Sequence, residues 1–320
     1  MKGRMRLKRF TVLIFAVCLA ALCACSGQAD SVSSLPEEGC RFTDSLGHEV
    51  MLEGAPKRVA ALLGSYAEAW VLAGGGESLV AVTQDAFDER GMELGEETAN
   101  LGQSHEPNLE ALLAAEPDLV LLSADLDGQL ALKDSLAAAG IPAAWFKVER
   151  FEDYQTMLKV FTDLTGREDL YQEHGLDIHR RIQEIKANVP QGDQPTVLLL
   201  RAFSSNVKAK NSDNTAGVML RDLGCINIAD RDSSLLEDLQ MEAILTADPE
   251  HIFVVTMGSD TEKALDHLKQ LFESDPAWQS LTAIREDQVH VLDKKLFHYK
   301  PNARWGESYE VLFRILYPEA

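Results

Sequence analysis

The residue whose chemistry is easiest to read is Arg201. It follows the apolar run TVLLL, which has strand character, and a charge beside buried strand residues is costly unless it is exposed or paired. Its planar guanidinium fork suits carboxylate or catecholate oxygens, and it could equally form one half of a structural salt bridge. Phe203 lies two residues on, and Lys208 and Lys210 follow in what reads as the same loop, either thickening a positive patch or merely solvated. His298 and Tyr299, within KKLFHYKPNARW, carry groups that could ligate a metal ion or could stack on a ligand ring. Adjacent residues on extended chain point opposite ways, so the two are not expected to reach one atom. Tyr66 offers an aromatic face to an organic ligand. Arg304 either faces the same site or braces the C-terminal helix, while Trp70, Trp278 and Trp305 read as packing residues.

These candidates recognise; they do not react. The chain contains no GxxxxGK[ST], GxSxG, HExxH or GxGxxG pattern and no cysteine-nucleophile signature, and the expectation is a protein that is not an enzyme and uses no cofactor. The eight histidines, at 48, 105, 174, 179, 251, 267, 290 and 298, are scattered. A receptor for free transition-metal ions calls for a converging His/Asp/Glu cluster, which is not evident.

The elements that must position such residues alternate. Apolar strand-like runs at Val59–Leu63, Leu79–Thr83, Leu119–Ser123, Ala143–Val148, Val197–Leu200, His251–Thr256 and Val289–Leu292 are mostly separated by helical stretches, the pattern of β-α-β units and parallel sheets. Cys40–Leu52 precedes them as a short hairpin turning near Ser45–Gly47. Residues 151–189 break the alternation with a helical stretch punctuated by Gly166 and stopped by Pro190, Gly192 and Pro195. The second half repeats the first: NLEALLAAEPDLVLLS (108–123) and QMEAILTADPEHIFVV (240–255) share Glu, Ala, Leu, Ala and Pro at an offset of 132. The fold class expected is α/β: two similar lobes, each a mainly parallel sheet flanked by helices with its own core, joined by a single long backbone helix. The expected divisions are 40–150 for the N-terminal lobe, 151–190 for the connector and 191–320 for the C-terminal lobe. Open parallel sheets bind ligands beyond the C-terminal ends of their strands. The ligand is therefore expected between the lobes, near Ser65, Tyr66, Gln84, Asp85 and His105 on one side and 201–204, Met257, Gly258 and 294–304 on the other.

The first 24 residues carry five cations, no acid and an uncharged apolar run from Phe10 to Ala24. Fifteen residues is short of the roughly 20 that span a bilayer and suits a signal-peptide core. Leu22-Cys23-Ala24-Cys25-Ser26 resembles the lipobox of bacterial lipoproteins, with Cys25 as the acylated residue and Cys23 as its unusual feature. Residues 25–39 then read as a flexible tether. This predicts a protein anchored by lipid on the extracytoplasmic side of the cell membrane. The formal charge is −21, and without residues 1–24 it becomes 25 cations against 51 acids, or −26. Such a surface disfavours nucleic acid and favours solubility. Cys40 and Cys225, the cysteines left after the lipobox, show no zinc-ligand spacing and read as unpaired packing residues.

FTDSLGHEV, PKRVAALLGSYAEAWVLAGGG, NLGQSHEPNLEALLAAEPDLVLLS, LGCIN, SDPAWQSLTAIREDQVHVLD and KPNARWGES, in this order and spacing, resemble the solute-binding proteins of ABC importers for ferric siderophores, haem and cobalamin. The resemblance spans about residues 41–318; Cys225 stands where the family usually has a second Gly. It implies a monomeric receptor that captures an iron chelate and delivers it to a permease dimer served by separate ATPase subunits; Arg201 with Lys208 and Lys210, which suit an anionic chelate, tip the expected cargo toward a ferric siderophore. Haem, cobalamin and a free metal ion remain the alternative cargoes. It also implies that Glu110 and Glu242, the matched acids of the repeat, dock on permease arginines. An acid in the first turn of a helix is favoured by the dipole alone, so position by itself does not establish that role.

Overall fold

The computed structural model describes residues 39–192, 194–258 and 260–319. The signal segment, Cys25 and all of the expected tether except Gly39 lie outside the described residues. β1 (Cys40–Thr43) and β2 (Glu49–Leu52) form the expected antiparallel hairpin. β3 (Val59–Ala61), β4 (Leu79–Val82), β5 (Ala99–Asn100), β6 (Leu119–Ser123) and β7 (Ala143–Phe146) build a parallel sheet in the order β5-β4-β3-β6-β7. β8 (Thr196–Ala202), β9 (Val207–Lys210), β10 (Ile226–Asn227), β11 (His251–Thr256) and β12 (Val289–Leu292) build a second sheet. Its parallel strands run β10-β8-β11-β12, and β9 pairs antiparallel with β8. The shared order β4-β3-β6-β7 and β10-β8-β11-β12 is the three-dimensional form of the repeat. It extends to the backbone, since Glu116 (φ 46°) and Asp248 (φ 37°), 132 residues apart, both take the left-handed conformation before a proline.

All seven anticipated strands are present. β5, β9 and β10 were not anticipated: two have only two residues, and β9 carries two lysines. The central strands of both sheets are buried on both faces, which is why they read as continuous apolar runs. Val59, Ala61, Leu119 and Leu121 face one core, and Ala60, Leu62, Val120 and Leu122 another. The hairpin ties the edge of the first sheet: Ser45 N donates to the Trp145 carbonyl (2.8 Å) and Trp145 N to Asp44 Oδ2 (3.1 Å), blunting an exposed edge.

Two features differ from expectation. The cores are not separate, because the inner faces of both sheets share one apolar cluster running from Val59 and Phe146 through Phe151, Phe161 and Ile182 to Leu199, Phe253 and Trp305. The connector is helical but interrupted. A helix over Phe151–Thr165 ends at Gly166 (φ 70°), and a second stretch passes through Glu168–Tyr171 and a π-turn at Gln172–Leu176 into Asp177–Ala187. A left-handed residue at this position is nearly free only for glycine. The first piece buries Phe151, Tyr154, Leu158 and Phe161 on one face, and the C-terminal helix Trp305–Leu316 packs along the second. That approach is close: a Cβ at Gly306 would lie 2.8 Å from Arg181 Cδ.

Candidate ligand cleft

The hydrogen bonds between the lobes leave the first lobe from segments that follow its strands. Ser65 follows β3, Arg90 follows β4 and Val148 follows β7. Each meets one segment of the second lobe, Tyr299–Asn302, which comes after β12. Asn302 Nδ2 donates to the Ser65 carbonyl (2.8 Å) and to Glu68 Oε2 (2.6 Å). Arg90 donates to the carbonyls of Tyr299 and Lys300 and pairs with Glu68 (2.9 Å), and Lys300 Nζ donates to the Val148 carbonyl. Lys300 (φ 40°) and Asn302 (φ 52°) hold left-handed conformations around Pro301. Such conformations persist when surrounding contacts fix them, as these hydrogen bonds do. The C-terminal strand ends of the two sheets therefore meet across this strap, the arrangement in which open α/β sheets take ligands.

The wall from the second lobe is basic. Arg201 stands near the end of β8, half-buried, with Lys208 directly opposite on β9. Residues paired across antiparallel strands share a face, and so do residues two apart, which adds Lys210. The two lysines are thus strand residues rather than loop residues. Three cations on one face repel, yet no carboxylate among the described residues forms a salt bridge with any of them. Burial pulls the Arg201 pKa down, with the exposed Asp213 acting in the other direction. Burial, then Arg201, lowers that of Lys210. The structural salt bridge considered for Arg201 is not present among the described residues. Phe203 follows at the rim, where its amide donates to the Asn206 carbonyl in the tight β8–β9 turn (2.8 Å).

His298 is half-buried in the same region. Burial first, then the charges of Arg201, Lys294 and Lys300, pull its pKa down to about 3, so it is neutral across the physiological range. Its ring lies 4.9 Å from that of Tyr299, and Lys294 Nζ lies over the Tyr299 ring at 5.2 Å. Burial, then Glu89, pushes the Tyr299 phenol pKa up. The wall from the first lobe is mixed: Lys147 pairs with Asp125 (3.6 Å) and Glu149 (3.3 Å) beyond β6 and β7. Gln129, fully buried, ties the ends of β3 and β6 to the segment after β5. Its Nε2 donates to the carbonyls of Leu62 (2.6 Å) and Ser104 (2.7 Å), and its Oε1 accepts from Ser123 N (2.6 Å).

Two residues expected at the ligand are elsewhere. Tyr66 is completely buried, its hydroxyl donates to the Phe146 carbonyl (2.8 Å) and its ring meets Phe146 edge-on; it is a core residue. Arg304 is exposed and forked onto Glu307 (2.7 and 2.8 Å), bracing the C-terminal helix. Asp85 is likewise occupied, accepting from Gly64 N (2.7 Å) and Thr83 Oγ1 (2.6 Å). Sequence reasoning missed Arg90, Glu68 and Gln129, and reached Asn302 only as part of 294–304, since polar residues in helices and turns acquire these partners only through the fold. Cys40 and Cys225 are free, and burial pushes the Cys225 thiol pKa up to about 12. Concavities of about 570 Å³ near Arg58 and Glu93 and about 600 Å³ beside Glu242 lie outside the cleft, lined by neither Arg201 nor His298.

Glu110 and Glu242 occupy matching places in the helices Leu109–Ala114 and Met241–Ala247, which lead into β6 and β11. Both are exposed, and neither carboxylate forms a salt bridge among the described residues. No helix among the described residues is long and apolar enough to cross a membrane.

Two lobes with facing parallel-strand ends and a polar cleft between them have the architecture of a binding protein of the periplasmic type. The family model described as "Periplasmic binding protein" matches residues 59–296, and the chain belongs to that family. It is 26% identical over 193 residues to the iron-uptake system-binding protein of Bacillus subtilis, a match covering 59% of each chain. It is 23% identical over 295 residues to the probable siderophore-binding lipoprotein YfiY of the same organism, covering 88% of this chain and 89% of that one. Among solved structures, the petrobactin-binding protein YclQ of B. subtilis superposes with a TM-score of 0.69 at 16% identity, covering 87% of this chain and 97% of that one. Members of the family bind solutes and are not enzymes.

Proposed function

We propose that the protein is the extracytoplasmic receptor of an ABC importer, that it binds an anionic iron chelate, a ferric siderophore by preference, in the cleft, and that Arg201, Phe203, Lys208, His298 and Tyr299 face that ligand. The observation that carries this reading is the unpaired cationic face of Arg201, Lys208 and Lys210 in a strongly acidic protein. Such a face repels bare metal cations and attracts carboxylate or catecholate oxygens, for which the Arg201 fork is suited. The names of the relatives, one an iron-uptake binding protein and another a siderophore-binding lipoprotein, point to the same class of cargo. Delivery relies on Glu110 and Glu242 meeting arginines of a permease pair whose ATPase subunits supply the energy, while the chain stays monomeric and held to the membrane through acylated Cys25.

The direct test is the mass and absorption spectrum of whatever copurifies with the protein, followed by fluorescence-quench titration with anionic ferric siderophores, haemin and cobalamin. Tightest binding of an anionic ferric chelate supports the reading; preference for cobalamin, haemin or a bare divalent ion refutes it. Reversing both docking acids (Glu110→Arg with Glu242→Arg) is expected to abolish uptake while leaving the ligand Kd unchanged. A Cys25→Ala chain is expected to be released from the membrane fraction.

A further inference from the structure

Seven large apolar side chains are exposed among the described residues: Leu46, Met51, Val71, Leu113, Leu176, Leu245 and Val291. Scattered exposed hydrophobes need no explanation. Leu113 and Leu245 are not scattered: they are 132 residues apart, the period of the repeat, and each is 37% exposed. Each lies three residues beyond Glu110 or Glu242, so acid and leucine share one helix face. Ala114 and Thr246, four residues beyond the acids, are exposed beside them, while Leu112 and Ile244 point into the core. Each lobe therefore presents the same exposed unit, a free carboxylate with a leucine one turn further on.

We propose that Leu113 and Leu245 are matched apolar contacts for the importer's permease pair, each seating in a socket beside the cation that meets Glu110 or Glu242. Two near-identical patches on two like lobes fit a partner that offers two copies of one surface, and the adjacent acids give that surface its charge. This rests on the docking role of Glu110 and Glu242 proposed above and adds the desolvated part of the interface. The charges steer encounter and are screened by salt, whereas the leucines act on dissociation and are insensitive to it.

The experiment measures binding of the full receptor to its permease–ATPase complex in nanodiscs, at low and high salt, for Leu113→Gln, Leu245→Gln, the double change, the corresponding Met changes and the Glu110→Arg, Glu242→Arg pair. Each Gln change is expected to weaken docking roughly tenfold, and the pair about a hundredfold, given the apolar area a leucine of this exposure can still bury. The loss should fall in the dissociation rate at both salt concentrations, with ligand Kd and Tm unchanged, and the Met changes should dock normally. Normal docking by the Gln variants, with loss only in the acid-reversal pair, overturns the leucine role and leaves the docking acids standing. Normal docking by the acid-reversal pair as well overturns the underlying reading. Equal loss in the Met and Gln variants, or a Tm drop that accounts for it, makes the leucines structural. Self-association of the receptor that the Gln changes abolish assigns the surface to a second copy of this chain and overturns the proposal.

Discussion

Replacing Arg201 by Gln separates a ligand-binding charge from a structural one, because the two roles predict opposite signs. Arg201 is half-buried, has no salt bridge among the described residues, and lies opposite Lys208 with Lys210 on the same face. Removing its charge relieves cross-strand repulsion of about 0.2–1 kcal/mol and part of the cost of burying the guanidinium. The ligand-free protein should therefore melt at the same temperature or slightly higher. A ligand oxygen bearing unit charge about 4 Å away, at an effective dielectric near 20, interacts by about 4 kcal/mol. After desolvation of the ligand, truncation should cost about 2–4 kcal/mol, or roughly 30- to 1000-fold in Kd. Arg201→Lys should fall between, keeping charge and losing the fork. Isothermal titration with an anionic ferric siderophore, alongside thermal melts of the ligand-free variants, measures both quantities. A variant that melts several degrees lower and binds the chelate as wild type does would refute the reasoning, since Arg201 would then be held by a partner inside the protein.

Three further outcomes follow from the site. His298 is neutral because burial and three neighbouring cations hold its pKa near 3, against about 6.5 in the unfolded chain. The unfolded state thus binds the extra proton between those values, and stability present above pH 6.5 is lost as pH falls toward 3; in urea melts across that range, His298→Gln should show a shallower pH slope, and an unchanged slope would exclude His298 as its source. Gln129→Leu leaves the Leu62 carbonyl and Ser123 amide buried without their partner and should cost about 2–5 kcal/mol by denaturant titration. Gly128→Ala, whose Cβ would lie 2.0 Å from the His105 carbonyl oxygen, should shift the same backbone and weaken ligand binding together with stability, whereas Gly140→Ala, with nothing within 4 Å but a φ of 69°, should cost only backbone strain of about 1–2 kcal/mol.

Local pattern carried much of this architecture. Strands such as LVLLS and HIFVVT are legible because buried parallel strands must be apolar on both faces, and the helix-Pro-strand repeat because each lobe solves the same local packing problem. Glu110 and Glu242 could be paired from sequence for that reason, and Arg201 stood out because a charge beside TVLLL needs an explanation. Signals that depend on short pairing distances were lost. β5 and β10 have too few residues to show a period, and Lys208 and Lys210 read as loop because their strand is defined by its partner β8.

What sequence alone determined is the class: an acidic, two-lobed α/β binder without catalytic signatures, its two matched acids and a cationic segment after β8. Tertiary structure decided which polar groups are free. Tyr66 and Arg304 look like binding residues in one dimension, yet the fold gives the Tyr66 hydroxyl to the Phe146 carbonyl and the Arg304 fork to Glu307. The same fold leaves Arg201 without a salt-bridge partner among the described residues, with only the exposed Asp213 acting on it as a counter-charge, and makes Asn302, Arg90 and Lys300 a strap between the lobes. The physical reason is that burial and hydrogen-bond partnership are long-range properties. Residue type fixes what a side chain can donate, accept or bury, but whether that capacity is already used depends on segments up to 237 residues away.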